Sequence, residues 1–339
     1  MVTLRCAGLL PLPLLAACAP IAEQAPAAAT SDEVSGALFV AGKFGNTLAK
    51  VDLASGVELV RVDSCANPHE LATSPNAQHV ALACYGGQTI DIFRTSDLGK
   101  VMSIDLGDNA RPHGIVWHSN GDIYATAEGR ESVFRIDQPS GPLMPRTYEY
   151  PTGKQGSHMI AVSPDGRTAW TTDLQDKTVT RIDLATGRAP LSVTVGEEPE
   201  GIALSPDGNT LWVSARGSDK AFALDPATLD IRKQVVTGDF PLRLILRPQG
   251  DYAVTSNLAD GALSVIDTAT GKLVRTIAVS SREEAEERFQ VTILFSPEGE
   301  RVYVAETRSD TIAEVDFESG TVLRRLPGTG GGDGIAIIQ

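Results

Sequence analysis

The sequence predicts an all-β fold, a seven-bladed β-propeller with four short strands in each blade. Two recurring turn motifs carry this prediction. Ser-Pro-Asp-Gly stands at 163–166 and again at 205–208, and a hydrophobic-Asp turn follows each copy. The aspartates of successive turns, Asp183, Asp225 and Asp267, lie 42 residues apart. Short apolar runs between turns that repeat at this period are typical of propeller blades.

The turn motifs have a structural explanation. Proline presets φ, aspartate binds the local backbone, and glycine accepts a positive φ. One repeat holds four short runs that read as strands, namely 201–204, 210–214, 220–224 and 231–236. Weaker copies of the first motif stand at 73–76, 246–250 and 295–299. These motifs predict the fold, and we assign them no functional role.

The number of blades follows from where the repeats begin. Six units start near His69, His113, His158, Glu200, Leu242 and Gln290. The segment 37–63 has three strands but lacks an innermost one, and the chain ends with an unpaired apolar strand at 334–338. We expect this last strand to complete the first blade, which gives seven blades and a ring without open edges.

The N-terminus predicts export. Arg5 precedes an apolar run at 7–15, and Leu-Ala-Ala-Cys at 15–18 resembles a lipobox. The run is too short to span a bilayer. Residues 1–17 are therefore expected to be a lipoprotein signal peptide, and Cys18 the acylated residue. The absence of aspartate after Cys18 implies the outer membrane. An ordinary secretory signal that is cleaved nearby remains the alternative.

The lipobox sets the expected domain organisation. Residues 18–35 are rich in alanine, proline and small polar residues and predict a flexible tether. The propeller is expected over 36–339. We expect the protein in the bacterial cell envelope, facing the periplasm and attached to the membrane through the lipid anchor only.

Four cysteines occur in the chain. Cys6 leaves with the signal peptide and Cys18 carries the lipid. Cys65 and Cys84 remain as a pair in an oxidising compartment, which predicts a disulfide. Two separate buried thiols are the alternative, because the sequence does not give their distance.

The charge balance argues against some partners. The chain has 43 acidic and 29 basic residues and a formal net charge of −14. Proteins that bind nucleic acid through phosphates show the opposite balance, so no nucleic acid is expected. We expect a monomer whose partner is a protein or a small-molecule ligand.

Aromatic-valine pairs occur in three repeats, at 39–40, 212–213 and 303–304, and Tyr124 and Trp170 occupy the same column. Together with the turn motifs they resemble the YVTN β-propeller family (YncE-like), from residue 36 to the C-terminus. The resemblance implies a binding or scaffold module that engages its partner at the top face. The blades also resemble lactonase-type propellers, which implies the alternative, a lactonase-like or lyase-like enzyme. Propellers host many activities, so the fold alone does not decide between them.

In a propeller, the loop that enters each innermost strand lies at the top of the central channel. This entry column is predicted to hold His69, His113, His158, Glu200, Leu242, Gln290 and Asp333. Three of the five histidines of the chain fall in it. Imidazoles bind Zn, Cu or Fe, so these three are candidate ligands for a transition metal ion such as Cu or Zn, with Glu200 or Asp333 completing the site. A polar, solvated rim is the alternative.

A second column at the end of the next strand adds further candidates, namely Lys43, Tyr85, Glu128, Leu174, Arg216, Asn257 and Thr307. The candidate ligand-binding residues are His69, His113, His158, Glu200, Gln290, Asp333, Glu128 and Arg216. Resemblance to the lactonase-type propellers implies catalytic roles for four residues, His158, Glu200, Arg216 and Arg243. A neutral histidine would act as base and an arginine would stabilise an enolate or oxyanion.

One insertion, at 281–288, lengthens the connection into the last blade. Ser281 followed by Glu284 reads as a capping box, which predicts a short helix beside the channel mouth. A solvated, charged loop is the alternative to a lid.

Overall fold

A computed structural model of the chain describes residues 35–139, 141 and 144–339. The predicted signal peptide and the tether up to residue 34 lie outside the described residues. Over these residues the chain forms seven four-stranded antiparallel sheets and almost no helix. The predicted fold class, a seven-bladed β-propeller, is confirmed.

The strands follow the blade repeat. In chain order they are β1 (Ala37–Gly42), β2 (Thr47–Asp52), β3 (Glu58–Asp63), β4 (Pro68–Thr73), β5 (His79–Cys84), β6 (Thr89–Arg94), β7 (Lys100–Asp105), β8 (Pro112–Trp117), β9 (Ile123–Ala127), β10 (Ser132–Ile136), β11 (Thr147–Pro151), β12 (Ser157–Val162), β13 (Thr168–Asp173), β14 (Thr178–Asp183), β15 (Leu191–Thr194), β16 (Pro199–Leu204), β17 (Leu211–Ala215), β18 (Lys220–Leu224), β19 (Ile231–Val236), β20 (Pro241–Leu246), β21 (Tyr252–Asn257), β22 (Ala262–Asp267), β23 (Lys272–Ala278), β24 (Gln290–Phe295), β25 (Arg301–Glu306), β26 (Thr311–Asp316), β27 (Val322–Pro327) and β28 (Gly332–Ile338). Blade one consists of β28 and β1–β3, and blades two to seven are β4–β7, β8–β11, β12–β15, β16–β19, β20–β23 and β24–β27.

The C-terminal strand closes the ring, as predicted. β28 pairs with β1, with Leu38 opposite Ile337, and it packs between β24 and β4. The seven innermost strands, β28, β4, β8, β12, β16, β20 and β24, contact one another in this order around the channel. Every innermost strand thus has a neighbour on both sides, and the ring has no open edge.

Glycines let these strands approach closely at the top of the channel. A Cβ atom at Gly334 would lie 2.0 Å from the carbonyl oxygen of His69, and one at Gly201 would lie 2.2 Å from the amide nitrogen of Leu244. A larger residue would push neighbouring blades apart at these points. The strands are therefore tightest where the candidate site residues stand.

Aromatic side chains of the second strands fill the space between blades. Trp212, Tyr124, Tyr303 and Phe39 are almost completely buried. In outer strands such as β3, half-buried and exposed residues alternate, because one face of each outer strand meets solvent. Burial of each large aromatic side chain stabilises the fold by roughly 2–3 kcal/mol.

The turn motifs make the hydrogen bonds that their residues predict. In the copy at 163–166, the Ser163 hydroxyl donates to Asp165, and the same carboxylate accepts the amide of Arg167. Gly166 has a φ of +68°, the left-handed conformation that favours glycine. The most recognisable sequence of the chain thus closes a hairpin at the bottom of a blade.

The insertion before blade seven contains helix α1 (Ala285–Arg288). The amide of Ser281 donates to the Glu284 carboxylate, and the amide of Glu284 donates to the Ser281 hydroxyl, as in a capping box. α1 ends at Phe289, which has a φ of 55°. In the part of the chain that the structure describes, no helix is long and apolar enough to cross a membrane.

Candidate functional site

A cavity of about 250 Å³ lies at the top of the central channel. Its wall is built from innermost strands and the loops beside them, and consists of Lys43, His69, Tyr85, His113, His158, Glu200, Arg216, Phe240, Leu242, Arg243, Leu258, Phe289, Val291 and Asp333. All four candidate catalytic residues and the three column histidines line it. The structure therefore brings most of the sequence-predicted site residues together.

The structure places Gln290 outside the lining of the cavity. Gln290 is the first residue of β24 and pairs with Glu306, so the second residue, Val291, occupies the entry column. The Gln290 amide turns away and donates to the carbonyl oxygens of Asn257 and Ala262. Most blades begin their innermost strand with a proline that marks the register, and this blade does not. The column therefore receives an apolar residue in place of a polar one.

The second column has the same one-residue shift in blade six. Asn257 still belongs to β21, where it pairs with Ala262, and the first loop residue, Leu258, faces the cavity. Blades six and seven, with the loops that enter them, thus give the cavity an apolar wall, which consists of Phe240, Leu242, Leu258, Phe289 and Val291. The rest of the lining is polar or charged.

A buried ion network crosses the channel. The Arg243 guanidinium donates to Glu200 of the neighbouring blade and to Glu70 of blade two, at 2.8 Å for the second bond. Arg243 is 5% exposed and Glu70 is 7% exposed. Burial opposes the charge of Arg243, but the carboxylates outweigh it and raise the pKa of this guanidinium. Charge is tolerated here because every member of the network has a partner of opposite sign.

Glu70 is a site residue that sequence reasoning missed, although the repeat contains a signal. Glu70 and Arg243 occupy the same position of the innermost strand, the one after the entry column. That position holds Glu70, Gly114, Met159, Gly201, Arg243, Thr292 and Gly334. Only two of these residues are charged, and their charges are opposite. Two opposite charges at one level of a closed ring predict a pair across the channel.

His158 lies between two carboxylates. Its Nδ1 bonds to Glu128, and its Nε2 lies 3.1 Å from Oε1 of Glu200. Burial disfavours the imidazolium, but Glu200 and Glu128 outweigh this effect and raise the pKa of His158. Burial alone would raise the pKa of Glu200, yet His158 and Arg243 bring it below its usual range. The two carboxylates therefore favour the protonated imidazole of His158, whereas the sequence-based catalytic role requires a neutral one.

The other two column histidines are neutral. Burial lowers the pKa of His69 to about 4. Its Nδ1 lies 3.0 Å from the Asn67 carbonyl oxygen and donates to it, so Nε2 carries the lone pair. Burial and the charge of His158 keep the pKa of His113 well below its usual range. The His113 ring centroid lies 3.8 Å from that of His158 and 4.7 Å from that of His69.

Glu128 and Tyr85 extend the polar wall. The Tyr85 hydroxyl donates to Glu128 at 2.8 Å, and Arg111 donates to the same hydroxyl. Burial, together with Glu128, raises the pKa of Tyr85 to about 12. His113, His158 and Glu128 form a compact donor set, since their ligand atoms lie within 4.8 Å of one another.

A disulfide and an ion pair flank the site. Cys65 and Cys84 are bonded, with their Cα atoms 5.6 Å apart. The bond joins the segments that lead to His69 and Tyr85. On the neighbouring blade, Lys43 pairs with Asp333 at 2.8 Å.

Comparison with known proteins places this geometry in context. No curated protein sequence matches the chain. Among solved structures, virginiamycin B lyase from Staphylococcus aureus has a TM-score of 0.64 at 15% identity, over 77% of this chain and 84% of the lyase. Apo AztD from Citrobacter koseri has a TM-score of 0.63 at 14% identity, over 90% and 98% of the two chains.

Dihydro-heme d1 dehydrogenase NirN, in complex with DHE, has a TM-score of 0.62 at 17% identity over 86% of this chain. The match spans 64% of the NirN chain. At identities this low, the similarity to these three structures shows that the chain shares their fold. A family model described as "Lactonase, 7-bladed beta-propeller" matches residues 60–285, which is more than half of the chain. The chain therefore belongs to the seven-bladed β-propeller lactonase family.

Proposed function

We propose that the chain is a binding propeller of the YVTN type that takes a small amphipathic organic molecule at the mouth of its channel. The observation that carries the proposal is the mixed lining of the cavity. Apolar side chains come from blades six and seven and the loops that enter them, and charged side chains, among them Arg216 and Lys43, line the rest. Small-molecule sites commonly combine an apolar lining with a few polar groups that fix the ligand's orientation.

The charged side chains that line the cavity differ in how accessible they are to a ligand. Arg243 and Glu200 are deeply buried and bonded to each other. Arg216 and Lys43 lie nearer the rim, with 24% and 27% of their side chains exposed. An acidic or carbonyl group of the ligand would meet these two cations, while its apolar part rests on Leu258 and Phe289. The cavity suits a small ligand, or one end of a larger molecule.

Titration of the purified protein with the fluorescent amphipathic anion 8-anilino-1-naphthalenesulfonate tests this proposal. Leu258→Asn places an amide in the apolar wall and should weaken binding about tenfold, in line with the burial energy of a leucine side chain. Leu323→Asn is the matched control, because Leu323 is exposed on an outer strand. Equal dissociation constants for both variants and the wild type would contradict the proposal.

A second candidate function is lactone hydrolysis, which the family membership and one feature of the site favour. His69 lines the cavity as a neutral imidazole whose Nε2 carries the lone pair. In this proposal Nε2 takes a proton from water, and the water oxygen attacks the ring carbonyl. Arg216 stabilises the oxyanion, the acyl C–O bond breaks, and the imidazolium returns its proton to the departing ring oxygen, which yields a hydroxy acid.

This alternative is tested with a panel of γ- and δ-lactones, with acid release followed at constant pH. We expect His69→Gln to lose at least about 100-fold of any turnover, since general base catalysis typically contributes that much. His79→Gln is the control, because His79 begins β5 at the bottom of the same blade. Absence of turnover with every lactone would leave ligand binding as the function.

We also propose that the protein acts in the bacterial cell envelope, with a lipid on Cys18 and the propeller facing the periplasm. The lipobox-like sequence at 15–18 supports this localisation. The Cys65–Cys84 disulfide is consistent with it, because such bonds persist in oxidising compartments. The partner at the top face is then a periplasmic small molecule or protein.

A further inference from the structure

We propose that His113, Glu128 and His158 form a binding site for a divalent transition metal ion, with Zn²⁺ as the preferred ion. The site is separate from the apolar wall and does not depend on the proposed small ligand. Two imidazoles and one carboxylate make up a common catalytic zinc ligand set, in which the fourth position stays open. Here their ligand atoms lie within 4.8 Å of one another.

Three neighbouring strands hold the donors. His113 and His158 are the second residues of β8 and β12, the innermost strands of adjacent blades. Glu128 directly follows β9, which pairs with β8. The two histidines are buried, and the Glu128 side chain is 11% exposed. The blade repeat therefore brings three side chains that can bind a metal ion close together.

One nitrogen of the buried His113 ring has no partner. His113 is 2% exposed, and its Nδ1 makes no hydrogen bond within the described residues. Buried polar atoms almost always have partners, and an exception points to an ion or water at the site. A metal ion bound at Nδ1 supplies the missing partner.

The outer groups of a metal site are also in place. His158 bonds to Glu128 through Nδ1 and to Glu200 through Nε2, the latter at 3.1 Å. The second carboxylate oxygen of Glu128 accepts a hydrogen bond from Tyr85 at 2.8 Å. Metal-binding histidines typically donate their other N–H to a carboxylate, and ligating carboxylates are hydrogen-bonded in turn. An ion bound between His158 and Glu128 would replace the proton of their hydrogen bond, and this proton would be released to solvent.

The donor set distinguishes among ions. Imidazole nitrogen favours Zn²⁺, Cu²⁺ and Co²⁺, whereas Mg²⁺ and Ca²⁺ prefer oxygen ligands. This set also revises the sequence-based one of His69, His113 and His158. Glu128 takes the place of His69, whose ring lies 4.7 Å from His113 on the cavity side. The open coordination position would face the cavity there and take water or a bound molecule.

Titration of the EDTA-treated, dialysed full chain with Zn²⁺ alone, by calorimetry, tests the proposal. We expect the wild type to bind one Zn²⁺ ion per chain with submicromolar affinity, and His113→Gln to lose this binding. Mg²⁺ should show no comparable binding. Co²⁺ should give the visible absorption of a low-coordinate nitrogen-oxygen site. Glu128→Gln, which keeps the shape of the side chain, should weaken Zn²⁺ binding at least about tenfold.

Two further variants guard against simple misfolding. Tyr85→Phe removes only the hydroxyl that supports Glu128 and should weaken binding roughly tenfold while the circular dichroism spectrum stays unchanged. His79→Gln, far from the site, should bind as the wild type does. The proposal is overturned if Zn²⁺ produces no binding heat, or if His113→Gln and His79→Gln bind with the same stoichiometry and affinity.

Discussion

Arg243 of blade six and Glu70 of blade two meet across the central channel, with Nη2 of the arginine 2.8 Å from Oε1 of the glutamate. Their positions are 173 residues apart in the sequence. The same guanidinium bonds to Glu200 of blade five. One side chain thus connects three blades across the channel, and it also lines the cavity where the candidate ligand would bind.

Arg243→Met should lower the free energy of unfolding by about 3–5 kcal/mol, because buried Glu70 loses its ion-pair partner and Glu200 keeps only His158 and Arg216. Urea unfolding of the wild type and the variant measures the change. Arg282→Met is the control. Its side chain is 66% exposed and pairs with Asp239 and Asp260, and exposed pairs contribute about 0–1 kcal/mol. Equal losses for both variants would show that Arg243 does not brace the ring.

Deletion of 334–339 should destabilise the propeller severely. It removes most of β28, which pairs with β1 and packs between β24 and β4. The open ring would expose two strand edges and aggregate or melt at a much lower temperature. Removal of Gln339 alone keeps every residue of β28 and serves as the control. A truncated protein with an unchanged melting curve would contradict ring closure by the C-terminal strand.

The fold was predictable because its signals are local. A Ser-Pro-Asp-Gly turn determines the hairpin in which it lies, and the regular spacing of its copies indicates where each blade begins. The register of an innermost strand is hard to assign from the sequence where the initial proline is missing. β24 begins with Gln290 and not with proline, so Gln290 was assigned to the entry column in place of Val291. Gln290 and Asn257 were therefore expected at the positions of Val291 and Leu258, and most of the apolar wall was not anticipated.

The different pKa shifts of the three histidines were not predictable from their positions in the repeat. His69, His113 and His158 are equivalent in the repeat, yet only His158 stands between two carboxylates. That difference comes from Glu128 and Glu200 on the blades to either side. Side-chain neighbours across blades are set by the ring's geometry, and sequence spacing carries little information about them.

The lipid anchor is a prediction that the sequence alone supports. Cys18→Ser removes the only thiol at the lipobox, so the protein should move from the membrane fraction to the soluble periplasmic fraction. One acyl chain binds marginally, whereas several chains anchor a protein stably. Fractionation with a salt wash, followed by immunoblotting, measures the distribution. A variant that still sediments with membranes would refute the lipobox interpretation.

His69 gives the metal-free protein a defined pH dependence. Its pKa is about 4 in the folded protein and about 6.5 in an unfolded chain. Between these values the unfolded state binds more protons, so stability is complete above pH ~6.5 and falls as the pH drops towards 4. Linkage puts the loss from this group at about 3 kcal/mol at most.

Urea unfolding of the EDTA-treated protein at pH 8, 6 and 5 measures this loss. His69→Gln keeps a polar side chain that does not titrate, so its free energy of unfolding should fall less between pH 8 and 5 than that of the wild type. His79→Gln is the comparison, because His79 lies at the bottom of its blade and is less buried. If His69→Gln and the wild type lose the same free energy over this range, His69 is not held neutral by burial, and its role as a base at the channel mouth loses its support.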